Sequence, residues 1–159
     1  MDSFHLSSDK LSPQNDISLP FSVDKIIPQT QTMRMIDFLT KVEDRHVECE
    51  MIVKSDNIFL REDGTLAESV YVELMAQTIA ASFGFEALCK GKGVGVGFLL
   101  GLKKVKISGI ARITDKLTIR VFKDTQFGDF GIIQGTVLNA GKIVAQGELK
   151  IWGKKDTSI

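Results

Sequence analysis

The stretch 69–90, SVYVELMAQTIAASFGFEALCK, decides the fold. Its large apolar residues recur with the spacing of one helix face, and they are Val70, Leu74, Met75, Ile79 and Phe83. Small or apolar residues occupy most of the other positions, so the predicted helix is apolar nearly all round and has to be surrounded by other structure. Glu68 and Ser69 suit its first turn, and Gly91 suits its end.

Segments with the composition of β-strands lie on both sides of this helix. Four follow it and two precede it, and their predicted bounds are 98–108, 116–123, 129–139, 142–152, 33–39 and 46–53. Apolar and polar residues alternate in 117–122, and Asn139-Ala140-Gly141 marks a tight turn between the last two strands. This order predicts an α+β domain in which an antiparallel sheet packs on, or closes around, one long central helix.

Length and composition restrict the class of protein. The 159 residues fit one domain with a single core, which we place at 20–153 between a flexible N-terminal tail, 1–19, and a C-terminal tail, 154–159. Twenty basic and twenty acidic residues leave no net charge, which argues against nucleic acid as a partner. The sequence shows no secretion signal and no apolar run of about twenty residues, so we expect no membrane contact and a cytoplasmic location.

Few residues are suited to metal binding or redox chemistry. Cys49 and Cys89 lie far apart, and with only His5 and His46 to add, no metal-ligand spacing is present. We therefore expect two reduced thiols, no metal and no cofactor. The glycine-rich run 91–101 follows a helix and opens a strand, which is the reverse of a phosphate-binding loop.

Glu73 is the residue most open to a chemical interpretation. A carboxylate one turn into an apolar helix is costly to bury unless it is paired or used. Without a cation, burial favours the protonated form, which is able to donate a proton. Gln77 lies four residues later on the same helix face, where its amide can fix the carboxyl group or a water beside it. The alternative is a solvated glutamate in the first turn that interacts with the helix dipole.

Three motifs resemble those of the 3-hydroxyacyl-acyl-carrier-protein dehydratases. The helix matches their V-E-x-x-A-Q pattern at Glu73, Ala76 and Gln77. The segment 26–37, IIPQTQTMRMID, is similar to L-P-H-x-x-P-M-x-x-[IV]-D, and 96–109, VGFLLGLKKVKISG, is similar to the strand that lines the acyl tunnel and meets its twin across a dimer. The resemblance implies the hot-dog fold, in which the sheet wraps around one central helix. It also implies an acyl thioester on acyl carrier protein or coenzyme A as substrate, in fatty-acid or polyene biosynthesis.

The same resemblance implies roles for individual residues. Glu73 takes the place of the catalytic acid with Gln77 beside it, whereas Gln29 stands where the family has its catalytic histidine. A glutamine amide cannot abstract a proton near neutral pH. Glu68 occupies the place of a glycine whose amide helps to bind the thioester carbonyl. The substrate contacts implied by the motifs are Met33, Glu68, Ser69, Phe98, Leu99 and Gly101.

Basic residues near the motifs have two interpretations. The candidates for docking the acidic surface of a carrier protein are Arg34, Lys103, Lys104 and Lys106. The alternative is that the lysines belong to a solvated edge strand. Neither histidine has a spacing that directs it to Glu73 as a substitute base.

Three functions remain open. The first is a dehydratase, as a homodimer or as a heterodimer with a related chain that supplies the histidine, because the family's site combines segments from opposite protomers. The second is a non-catalytic subunit that binds the acyl chain or its carrier beside a histidine-bearing paralogue. The third is an acyl thioesterase, in which Glu73 activates a water and no histidine is required.

Overall fold

The computed structural model describes residues 17–153. Its strands and helix are, in chain order, β1 (Phe21–Ser22), β2 (Phe38–Val42), β3 (His46–Ile52), α1 (Ser69–Cys89), β4 (Gly97–Ile107), β5 (Lys116–Phe127), β6 (Phe130–Asn139) and β7 (Lys142–Gly153). The strands form one antiparallel sheet in the order β1-β2-β3-β5-β6-β7-β4. The helix packs on the inner face of this sheet, against β2, β3, β5, β6 and β7. This is the hot-dog fold, as the sequence predicts.

Both ends of the helix lie where the sequence indicates. It begins at Ser69, although neither Ser69 nor Glu68 caps it with a side chain. At the other end Gly91 has a φ of +67° and donates its N–H to the carbonyl of Leu88, while Lys92 donates to Ala87. A left-handed residue at this place is the common way to close a helix, and glycine adopts it without strain.

The segment that precedes β2 differs from the prediction. Residues 33–39 were expected to form a strand, but Gln31–Met33 is a 3-10 turn and β2 begins only at Phe38. The reason is that the main chain at Met33 and Met35 bonds to a helix side chain instead of to a neighbouring strand. The other predicted strands are confirmed to within one residue at each end, except that β5 continues to Phe127.

The N-terminal segment lies directly against the helix. A methyl group on Gly84 would overlap the carbonyl oxygen of Ile26, so the two backbones meet at a place that admits only hydrogen. Met33 and Met35 contact the helix again at Gln77, seven residues earlier. The segment therefore follows the helix for roughly 10 Å, which is seven residues at the helical rise.

The β4 strand is the exception to the burial of the sheet. It lies at the edge, and ten of its eleven residues are exposed. Its pairing with β7 places Leu99 and Leu102 on the inner face, opposite Ile151 and Leu149. The aliphatic side chains of this face, Leu99, Leu102, Val105 and Ile107, keep between 39% and 45% of their surface exposed. The helix does not cover this part of the sheet.

No helix in residues 17–153 is long and apolar enough to cross a membrane. Over the same residues, no group of three or more histidine, cysteine, aspartate or glutamate side chains is arranged to hold a metal ion.

Candidate active site

Gln77 is the centre of the polar cluster on the helix. Its side chain is fully buried, and its amide oxygen accepts a hydrogen bond from the N–H of Met35 at 2.9 Å. Its amide nitrogen donates to the carbonyl of Met33 at 2.7 Å and to Glu73 Oε1 at 2.7 Å. Both amide hydrogens and the amide oxygen are therefore used within the chain.

Glu73 is held by this amide. It lies on the first turns of α1, where its side chain is half-buried rather than enclosed. The hydrogen bond from Gln77 orients one carboxylate oxygen and leaves Oε2 without a protein partner within residues 17–153. Of the two arrangements considered from sequence, the structure has the amide fixing the carboxyl group. The second oxygen therefore remains free to bond to another molecule.

Gln29 lies in the segment that runs along the helix, between the contacts of Ile26 and Met33. The residue is half-buried, and its amide oxygen is buried with no hydrogen-bond partner in the described part of the chain. An unpaired buried acceptor costs free energy unless another molecule supplies a donor. The structure thus places Gln29 on the same side of the sheet as the Glu73 cluster, with its amide oxygen unpaired within residues 17–153.

The start of the helix carries the other predicted substrate contacts. The N–H of Ala67 donates to the carbonyl of Phe59 at 3.0 Å, so this amide is already used. Glu68 is exposed, and its carboxylate lies 3.4 Å from Arg61. The structure also shows a contact here that the sequence does not indicate. The Tyr71 hydroxyl accepts a hydrogen bond from the N–H of Ala111 at 2.8 Å. Burial raises the pKa of Tyr71, and the Ala111 hydrogen bond partly opposes that shift.

The predicted contacts on β4 do not share one surface. Leu99 faces inward opposite Ile151, whereas Phe98 faces outward and stacks on Trp152 with 5.8 Å between ring centroids. Gly101 pairs with Lys150, which also places it on the outer side. Only Leu99 of these three residues lies on the face that α1 occupies.

The basic residues are divided in the same way. Lys103 and Lys106 lie opposite Glu148 and Gln146 on the outer side of β4, and Lys104 has a φ of +52° in a bulge between them. No carboxylate in residues 17–153 is within salt-bridge distance of these lysines. Arg34 belongs to the segment along α1 and lies just after the 3-10 turn. The structure therefore places the lysines on an exposed edge strand and Arg34 on a separate segment.

His46 is not a base for Glu73 within this chain. It lies at the start of β3, where its ring packs on Phe122 at 5.0 Å on the outer face of the sheet, while Glu73 is on the inner side. His5 lies outside the described residues. Cys49 is no alternative, because burial raises the pKa of its thiol to about 12 and leaves it protonated at neutral pH.

Comparison with known proteins agrees with the fold. One solved structure that resembles this chain is the dehydratase heterocomplex ApeI:P from Xenorhabdus doucetiae, with 26% identity, a TM-score of 0.79, and coverage of 86% of this chain and 93% of that one. A hypothetical thioesterase of Streptococcus pneumoniae with coenzyme A has 16% identity, a TM-score of 0.61, and coverage of 76% and 90%. A Streptococcus mutans protein bound to acetyl-CoA has 14% identity, a TM-score of 0.64, and coverage of 83% and 98%.

The last two likenesses establish the fold alone. A comparison with curated protein sequences gave no significant match. The fold and the similarity to the dehydratase heterocomplex define a hot-dog protein of the dehydratase-like class. The protein-family model of the ApeP dehydratase matches residues 21–158, and the chain belongs to this ApeP-like family, which handles acyl thioesters.

Proposed function

We propose that this chain is the acid-bearing subunit of a 3-hydroxyacyl-thioester dehydratase, whose base comes from a related second chain. The observation that carries the proposal is the fixed Glu73 carboxyl group, oriented by Gln77 and left with one free oxygen, while residues 17–153 offer no base beside it. Gln29 stands at the position of the family's histidine and cannot abstract a proton.

The reaction divides between the two chains. The partner's histidine takes the proton from the carbon next to the thioester carbonyl, and the charge that develops on the carbonyl oxygen is stabilised by backbone amides. Glu73 gives its proton to the departing hydroxyl, so water leaves and an enoyl thioester remains. The amides of Glu68 and Ser69, at the N-terminal end of α1, are the donors that we assign to the carbonyl oxygen.

The exposed inner face of β4 supports the need for a second chain. An edge strand with open backbone groups and four exposed aliphatic side chains is a surface that a related strand completes. The same addition would place a second wall beside the Glu73 cluster and the inward-facing Leu99. The similarity to a heterocomplex of dehydratase subunits favours a related chain over a second copy at this edge.

The acyl group reaches this site on acyl carrier protein or coenzyme A. We assign carrier contacts to Lys104 and Lys106 on the exposed β4 edge and to Arg34 beside the Met33 turn. Lys103 is the weakest of the predicted contacts because it lies opposite Glu148. These contacts would affect the rate of encounter more than the chemical step.

A thioesterase receives less support. In that reaction Gln77 would have to orient the attacking water, but both its amide hydrogens are already donated to Met33 and Glu73. A subunit that only binds the acyl chain or its carrier requires no acid. In such a subunit the orientation of Glu73 would result from helix packing alone. The dehydratase subunit accounts for both the oriented Glu73 and the substituted Gln29.

The test is reconstitution with a related chain that has the histidine. The purified chain alone should form enoyl thioester from a 3-hydroxyacyl substrate very slowly, as followed by ultraviolet absorbance, and the two-chain complex should be active. In the complex, Glu73→Gln should lower the rate by about 10²-fold or more, the usual size of acid catalysis. The matched control is Glu86→Gln, which removes a carboxylate on the same helix that pairs with Lys123.

Two results would contradict the proposal. A Glu73→Gln complex with the wild-type rate would remove Glu73 from the chemistry. A fast reaction by this chain alone would show that the base is in this chain and that a histidine-bearing partner is not needed.

A further inference from the structure

Four aromatic side chains form a row across the outer face of the sheet. Cross-strand pairs join Phe98 to Trp152, Trp152 to Phe130, and Phe130 to Phe127. Residues paired in this way project from the same face, and the stacking of Phe98 on Trp152 agrees with that. The row crosses four strands at one end of the sheet and is roughly 14 Å long at the usual strand spacing. We call it the aromatic row.

Nothing in residues 17–153 covers the aromatic row. Phe98, Phe127 and Phe130 keep 57%, 67% and 53% of their surface exposed. For side chains of this size that amounts to roughly 300 Å² of aromatic surface, the size at which an exposed patch usually has a function. A shallow cavity of about 290 Å³ beside the row is lined by Leu100, Ile132 and Lys150 as well as by Phe127 and Phe130.

The middle of the outer face, on β3 and β5, is built differently. Arg120 bonds Glu48 at 2.7 Å, and Lys116 bonds Glu50 at 2.8 Å across β3 and β5. Such paired charges are typical of a face that stays in water. The contrast within one face of one sheet indicates that the aromatic row is a contact surface.

We propose that the aromatic row docks a second copy of this chain, with the two outer faces packed against each other about a two-fold axis parallel to the strands. The axis passes between β6 and β7, so Phe98 lies against Phe127 of the second copy and Trp152 lies against its Phe130. Two flat sheet faces pack at about 10 Å, and such an arrangement buries the whole row.

Charge complementarity favours this occupant. On the same outer face Gln134 bonds both Glu148 and Asp124, which extends a polar line from Lys103 on β4 to Asp124 on β5. The two-fold rotation that pairs the ends of the aromatic row also brings Lys103 of one copy to Asp124 of the other. The chain has no net charge, so no overall repulsion opposes self-association. This contact uses the outer side of β4, leaves the inner face and the edge backbone groups of that strand free, and does not depend on the proposed function.

The first test is the mass of the purified chain in solution. Phe127→Ser combined with Phe130→Ser should halve the mass that light scattering gives for the wild type at micromolar concentration. Both side chains are largely exposed, so the variant should keep its fold. The matched control, Phe38→Ser, removes an exposed aromatic ring from the same face on β2, two strands beyond the row, and should leave the mass unchanged.

Charge exchange tests the orientation. Lys103→Glu should weaken the association, and adding Asp124→Lys should restore it, because the two substitutions exchange the charges that the two-fold axis brings together. Restoration would not occur if Lys103 contacted an acidic carrier protein instead.

Chemical cross-linking tests the contact directly. A zero-length carbodiimide joins a lysine to a carboxylate that it touches, so it should link Lys103 of one copy to Asp124 of the other, and mass spectrometry should find that linked peptide pair in the joined chains. Lys103→Gln should not form the link, and a link within one chain is excluded because Lys103 and Asp124 lie on strands three spacings apart, roughly 14 Å. A monomeric wild type, or an unchanged mass together with the absence of cross-linked chains, overturns the proposal. The proposal is also overturned if the only effect of Phe127→Ser with Phe130→Ser is that the chain no longer binds the related chain or carrier protein.

Discussion

Two glutamines beside the helix have opposite surroundings. Gln77 is fully buried and uses its amide oxygen and both amide hydrogens in bonds to Met33, Met35 and Glu73. Gln29 lies on the segment that Gln77 holds, and its buried amide oxygen bonds to nothing within residues 17–153. The same side chain thus serves a closed network in one region and remains available in the other.

The difference separates folding from function. A closed network stabilises the single chain, since each of its buried polar groups has a partner. An open acceptor is a cost to the single chain, and it is explained when another molecule supplies the missing donor. Substitution of Gln77 should therefore lower stability as well as release Glu73, whereas substitution of Gln29 should act on activity without a loss of stability.

The largest expected effect is a gain of catalysis at Gln29. If this residue occupies the position of the family's histidine, Gln29→His supplies a general base, which is worth typically 10²- to 10⁴-fold in rate. The measurement is the enoyl-thioester absorbance formed by the chain without a partner. Adding Glu73→Gln to the Gln29→His variant should abolish the gain. An inactive Gln29→His chain with an intact fold would show that geometry, and not only the base, is missing.

The second effect concerns stability. Gln77→Leu leaves the N–H of Met35 and the carbonyl of Met33 buried and unpaired, so we expect a loss of about 3 kcal/mol in the free energy of unfolding. Urea denaturation measures it. Gln29→Leu is the control, and it should raise the free energy of unfolding by about 1 kcal/mol, because it removes a buried acceptor that has no partner. Equal losses for the two variants would remove the distinction between the regions.

The sequence predicts the helix and the later strands better than it predicts the segment that carries Gln29. Periodicity predicts α1, the four strands that follow it and the turn at Ala140 and Gly141, because each depends on local residues. The segment before β2 was mistaken for a strand, since the bonds that shape it come from Gln77, more than forty residues away. The composition of residues 33–39 gives no sign of a contact with a residue so far along the chain.

The candidate site shows the same division. Helix spacing places Gln77 beside Glu73 correctly, because i and i+4 share a face. The opposite orientations of Phe98 and Leu99 depend on the register of β4 against β7, and so does the aromatic row. Alternation in sequence indicates that neighbouring residues face opposite ways, but it does not tell which of them faces the helix.

The third prediction concerns Tyr71, whose buried hydroxyl is hydrogen-bonded within the chain as Gln77 is. Tyr71→Phe leaves the buried N–H of Ala111 without its acceptor, which should cost about 1 to 2 kcal/mol in the free energy of unfolding. Because burial raises the pKa of Tyr71 above the ordinary 10.0, the folded chain retains a proton that the unfolded chain loses. The wild type should therefore lose stability as the pH rises above 10, and Tyr71→Phe should lose less over that range. Parallel alkaline curves for the two proteins would contradict this account of the buried hydroxyl.

The smallest effect is expected at Glu68, which has a partner but remains in solvent. Its bond to Arg61 is 3.4 Å long, and about half of each side chain is exposed, so screening by water leaves it little energy. Glu68→Gln should change the free energy of unfolding by less than about 0.5 kcal/mol. In the two-chain complex the same substitution removes a negative charge near the amides that we assign to the thioester oxygen, so the dehydration rate should rise modestly. Arg61→Gln is the informative counterpart, because it matches Glu68→Gln in stability but leaves the negative charge uncompensated and should lower the rate. If both variants change the rate in the same direction, the start of α1 is not where the thioester oxygen is held.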